Sequence, residues 1–114
     1  MKQVLLLSII ATALLFGDNY TTKEAASHIG EKATVCGTVS GGYYAKSSNG
    51  QPTFINLDGR YPNQKFTIFI LGKNRHNFSS PERSYNGRTI CVTGIIKMHK
   101  GTPQIKASDK SQIK

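Results

Sequence analysis

Acidic side chains are scarce in this chain: Asp and Glu number 6, against 15 Lys and Arg, in 114 residues. They are scattered as Asp18, Glu24, Glu31, Asp58, Glu82 and Asp109. No two have motif spacing for acid–base work or for gripping a divalent cation, and a metal-dependent nuclease needs convergent carboxylates. The three histidines, His28, His76 and His99, form no HExxH-like motif. A Gly-rich nucleotide loop and a serine in a nucleophile elbow are also missing. The one grouping with a phosphodiesterase flavour is Arg75 and His76 with Glu82. The chain is therefore read as non-enzymatic, with no metal and no cofactor.

Cysteine is nearly absent. Cys36 and Cys91 make no CxxC motif and no metal constellation, so redox catalysis and zinc binding are weak readings. An oxidising compartment permits one disulfide between them. Two buried free thiols are the alternative.

Long apolar runs are absent but for one, Val4 to Phe16, behind Lys2. It is too short for an ordinary transmembrane helix. A short basic n-region followed by such a run describes a secretory signal. Gly17 permits a cut before Asp18, and Ala11-Thr12-Ala13 offers a small-x-small pattern. An uncleaved anchor is the alternative. No cysteine follows the run, so a lipoprotein anchor is not expected. The expectation is an exported, periplasmic or extracellular protein with no stable membrane span after signal removal. Residues 1–17 are the signal, 18–31 a lead-in segment and 32–114 the domain.

What the chain does have is positive charge, turns and β-branched residues. The formal net charge is +9. Lys2 is the only charged residue among the first 17, so the excess belongs to the domain. A small basic domain favours polyanions such as nucleic acid, anionic lipid or acidic polysaccharide.

Strand signals fill the domain. Thr53–Leu57 and Phe66–Leu71 are β-branched and aromatic, and flank the polar turn Asp58–Lys65. Lys32–Tyr44 alternates with period two, with Gly37 suggesting a sharp coil or a close backbone approach and Gly41-Gly42 a bulge. Ala45–Pro52 is a hairpin loop centred on Asn49-Gly50. Gly72–Gly87 is an irregular or helical connector, with Phe78 a plug beneath the sheet. Arg88–Met98 is a fourth strand with a bulge after Gly94, and Pro103–Ala107 a fifth, joined by the turn His99–Thr102. Thr22–Ile29 in the lead-in reads as a short helical turn. A lone hairpin is barely stable, and closure hides strand edges best. The order predicts an all-β, five-stranded, OB-fold-like Greek-key barrel with a connector between strands three and four. An SH3-like barrel and an open α+β sandwich are the alternatives.

Three stretches also carry a resemblance: IGEKATVCGTVSG, GQPTFINLDGRYPNQKFTIFI and NGRTICVTGIIKMHKGTPQIKA. As a set, V-C-G-x-V, N-L-D-G-x-Y-P-N-Q and I-C-V-T-G-x-I resemble a small exported bacterial OB-fold module, over roughly Ile29 to Ile113. Such modules occur as secreted or periplasmic proteins and beside nuclease domains, and are similar to nucleic-acid-binding OB domains. The catalytic carboxylate and arginine pattern of staphylococcal-type nucleases, which share the barrel, is not visible here.

The resemblance implies a ligand face across the second and third strands, clamped by Ala45–Pro52 and His99–Thr102. Lys46, Arg60, Lys65, Lys97 and Lys100 are the candidate phosphate contacts. Tyr43, Tyr44 and Tyr61 are candidate stacking platforms, and Asn56 offers an amide toward solvent. Tyr43 and Tyr44 point to opposite faces of a regular strand, so at most one serves. Phe54, Phe66 and Phe69 are assigned to the core. The expected ligand is single-stranded nucleic acid. The alternatives are an envelope module for an anionic glycan or acidic protein, and an accessory domain without a nucleic-acid role.

Overall fold

The computed structural model describes residues 18–114. The apolar run read as an export signal, residues 1–17, lies outside the described residues.

The chain is all-β, with six strands in one mixed sheet. They are β1 (Asn19–Thr21), β2 (Lys32–Tyr44), β3 (Thr53–Leu57), β4 (Phe66–Ile70), β5 (Thr89–His99) and β6 (Thr102–Lys106). The order is β1-β2-β3-β4-β6-β5, and β5 also pairs with β2. The ladders from β2 through β3, β4, β6 and β5 therefore return to β2 and close a ring. β4 and β6 run parallel; the other ladders of the ring are antiparallel. A 13-residue β2 makes this closure possible, because its first half pairs with β5 and its second with β3. The register shift between Val39 and Gly42 marks the join. Gly41 there has φ 102°, a conformation glycine adopts without a Cβ clash.

Three expectations are corrected. The strand count is six rather than five, because the lead-in contributes β1, parallel to β2 through Asn19↔Thr34 and Thr21↔Cys36. Its helical turn shrinks to a 3₁₀ turn, Glu24–Ser27. β5 also has no bulge after Gly94: the register against β2 runs unbroken from Lys32↔Ile95 to Thr38↔Thr89. A Cβ at Gly94 would lie 2.6 Å from Ile105 Cγ2, so this glycine admits a neighbouring side chain instead of kinking the strand.

Period-two alternation fills the interior with Val35, Val39, Ile55, Leu57, Phe66, Ile68, Ile70, Ile90, Val92, Ile96 and Ile105. Phe78 from the connector and Ile113 from the tail are buried among them. Ile113 also bridges to Val92. Cys36 and Cys91 sit directly opposite each other in the β2–β5 ladder and are joined by a disulfide, with Cα atoms 4.0 Å apart. On either side of it, Thr34 and Thr93 share a hydroxyl hydrogen bond of 2.7 Å, and Thr38 and Thr89 one of 3.0 Å. Among the described residues no helix is long and apolar enough to cross a membrane.

Candidate nucleic-acid interface

The outward face of β3 and β4 carries the side chains that the interior leaves over. Thr53, Ile55 and Leu57 point in, so Phe54 and Asn56 point out. Likewise Phe66, Ile68 and Ile70 point in, and Thr67 and Phe69 point out. This corrects the assignment of Phe54 and Phe69 to the core; only Phe66 is fully buried there. The signal was in the sequence. Asn56 was read as solvent-facing, and period two puts Phe54 on the same face.

Register turns these alternations into two rows that cross the strands. Tyr43 lies opposite Phe54, Phe54 opposite Phe69, and Phe69 opposite Lys106. Three rings in sequence therefore end at a cation. The Phe54 and Phe69 rings are 5.6 Å apart and tilted by 55°, a favourable aromatic arrangement. One step along, Asn56 lies opposite Thr67, Thr67 opposite Gln104, and Gln104 opposite Lys97. This second row is polar and also ends at a cation.

Loops wall Tyr43 and Phe54 of the first row and Asn56, Thr67 and Gln104 of the second into a groove of about 710 Å³, with Phe69, Lys106 and Lys97 beyond its lining. One wall is the β3–β4 turn, bringing Arg60, Tyr61, Pro62 and Gln64. At the same end of the sheet are His99, Lys100 and Thr102, at the β5–β6 turn. Ala45 and Ser48 enter from the β2–β3 loop. None of the residues lining the groove is acidic. Tyr43 and Tyr61, 65% and 77% exposed, are the most open of the large hydrophobic side chains among the described residues. Large rings left in water beside a cationic wall suit a flat, anionic ligand.

The wall is held in place by Asp58. Its carboxylate accepts from the Thr38 backbone N–H at 2.9 Å and from the Thr22 hydroxyl. Gly59 N–H donates to Ser40 Oγ at 3.2 Å. These bonds tie the turn that carries Arg60 and Tyr61 to β2 and to the lead-in. They also explain Gly37: a Cβ there would lie 2.9 Å from Asp58 Oδ2 and 2.8 Å from Thr22 Cγ2. The close approach expected at this glycine is made by a side chain, and that side chain positions the site.

The other candidates distribute as follows. Tyr44 faces away from Tyr43, with the Arg75 guanidinium 3.6 Å over its ring centroid. Arg75 also donates to Thr53 Oγ1 at 2.7 Å and pairs with both Glu82 oxygens, at 2.9 and 3.2 Å. Tyr44 is thus part of the support and not of the groove. Arg75 and Glu82 are occupied with each other; the hydrogen bonds from Arg75 hold the Glu82 carboxyl below its ordinary pKa. His76 stays exposed on the connector. Lys46 and Lys65 are exposed on the flanking loops, outside the groove lining. Lys97 shares the outward face with Gln104. Among the described residues no three His, Cys, Asp or Glu side chains gather as metal ligands do.

No family model matches the chain, and no curated protein matches it. Among solved structures, the OBody AM1L10 bound to hen egg-white lysozyme is similar at a TM-score of 0.47 and 14% identity, over 77% of this chain and 80% of that one. A chain described as an aspartyl-tRNA synthetase from Leishmania major Friedlin is similar at a TM-score of 0.49 and 7% identity. That match covers 90% of this chain and 25% of the synthetase chain.

Proposed function

We propose that the protein is an exported, non-catalytic module that binds single-stranded nucleic acid in the groove over β3 and β4. The ring of β2, β3, β4, β6 and β5 is taken as a five-stranded OB-like barrel, with β1 an added edge strand. The long bent β2, the parallel β4–β6 closure and the connector between β4 and β5 support that reading. The disulfide is in keeping with an oxidising compartment.

One observation carries the function: the row Tyr43–Phe54–Phe69, continued by Lys106 and flanked by Arg60, Tyr61 and Lys100. Adjacent strands are about 4.8 Å apart, so the row offers successive flat surfaces across the sheet. Unpaired bases present π-faces and their phosphates need cations; a duplex hides the former. Tyr61, outside the row, is placed to close on a base from the wall.

The test is fluorescence anisotropy with a labelled single strand, competed by the matching duplex. Tyr43→Ala and Phe54→Ala should each weaken single-strand binding by about 1–3 kcal/mol. Equal competition by duplex, with no effect of either substitution, contradicts the reading.

A further inference from the structure

Asn56 is only 6% exposed although it lies on the outward face of β3. Among the described residues its side chain makes no hydrogen bond, and it lines the groove. Although the residue is mostly covered, its amide oxygen and nitrogen stay accessible at the groove surface. Its cross-strand neighbour Thr67 is equally covered, at 6%, and accepts from Gln64 Nε2 at 3.2 Å. Gln64 Oε1 is buried with no partner of its own. Gln104 extends the row on β6. The groove floor therefore presents the Asn56 amide with no protein partner, beside the unpaired Gln64 Oε1.

From this we infer that the polar row reads a base edge, so that the groove selects among bases at one nucleotide instead of accepting any single strand. The inference rests on the proposed single-strand binding and adds a specificity to it. Phe54 and Asn56 are an i, i+2 pair on one face, roughly 6.6 Å apart along the strand. A base stacked on Phe54 directs an edge across Asn56. Single strands leave the Watson–Crick edge open, and the order of donor and acceptor along it differs between adenine or cytosine and guanine or thymine. A carboxamide answers both at once, as asparagine does with adenine in duplex grooves. Phosphate alone cannot use an acceptor such as Asn56 Oδ1. Asn56 is the reading residue; Gln104 and Gln64 flank it.

The experiment measures affinity for 12-mers of dA, of dC and of dT, and for an alternating dG–dT 12-mer, with wild type and Asn56→Leu. Stacking strength alone creates some preference, so the change on substitution is the diagnostic quantity. We expect the tightest and weakest 12-mers to differ by about ten-fold or more in wild type, the scale of one bidentate base contact. Asn56→Leu should bring them within about three-fold of one another while its melting temperature holds or rises, as for an amide with no partner to lose. Gln104→Leu, on the more open β6, should narrow the spread in the same direction and supplies a second variant if Asn56→Leu does not fold. An unchanged spread in the substituted proteins, or no spread in wild type, overturns the base-reading role and leaves single-strand binding intact. A lowered melting temperature with an unchanged spread makes Asn56 a structural group and overturns it equally. Failure of all four 12-mers to bind contradicts the proposed function itself.

Discussion

Single residues divide into those that build the groove and those that would touch its ligand. Gly37 belongs to the first kind. Gly37→Ala forces Asp58 or Thr22 to move, because both lie within 3 Å of the new methyl carbon. Overpacking of this kind costs about 1–3 kcal/mol, measurable by urea unfolding. Since Asp58 holds the Arg60–Tyr61 turn, the same substitution should also weaken nucleic-acid binding. The adjacent tyrosines make the contrast. Tyr43→Ala should reduce binding and leave unfolding nearly unchanged. Tyr44→Ala should lower stability by about 1–2 kcal/mol, through loss of the Arg75 cation–π contact, and leave binding unchanged. Sequence alternation already separated these two tyrosines. It could not say which face was the ligand face, since that depends on which loops line the groove. Asn56, which reads as solvent-facing in sequence, is only 6% exposed. Phe54 and Phe69 were misassigned for another reason: large aromatics suggest a core, but here their strand partners Ile55 and Ile68 already fill it.

At the level of elements, the connector between β4 and β5 depends on one ion pair. Arg75 and Glu82 join the 3₁₀ turn Gly72–Asn77 to the short helix α1 (Pro81–Ser84) and, through Thr53, to β3. Side-chain exposure of 19% and 14% makes the pair mostly buried. Arg75→Ala should cost about 2–3 kcal/mol, because it leaves a covered carboxylate unpaired. The pH dependence follows from the depressed Glu82 pKa. Such a group contributes stability above its unfolded-state pKa and loses it as pH falls through its folded-state pKa. Wild type should therefore exceed Glu82→Gln in urea unfolding near about pH 7, and the two should converge toward about pH 2. The elements themselves were mostly legible. Both hairpins, the long bent strand and the plug Phe78 follow from alternation, turn residues and glycine placement. β1 was not legible, because three residues, Asn19–Thr21, carry too short a pattern and gain their strand only from the edge of β2.

Across the whole molecule, the ring is stapled where β2 meets β5. The Cys36–Cys91 disulfide spans 55 residues of sequence. Its loss should reduce unfolding free energy by about 2–4 kcal/mol, measured as the difference between wild type and a Cys36→Ala, Cys91→Ala double variant. Binding under folding conditions should persist, since neither cysteine lines the groove. Two cysteines in sequence permit this bridge; their direct opposition in the ladder is a matter of register, which sequence alone does not give. The net charge of +9 was legible at once, and the acid-free lining of the groove, with Arg60 and Lys100 in it, was not. If about three to five phosphates are neutralised there, log affinity should fall against log salt with a slope of about −2 to −3.5.

The most direct measurement is competition for a labelled single strand at near-physiological salt, with unlabelled single strand, duplex and heparin as competitors, in wild type and in Tyr43→Ala. The account predicts that the single strand competes best in wild type and that this advantage shrinks by about ten-fold or more in Tyr43→Ala, the scale of one lost stacking contact. Equal competition by all three polyanions, unchanged by the substitution, would contradict it and reduce the groove to a surface of positive charge.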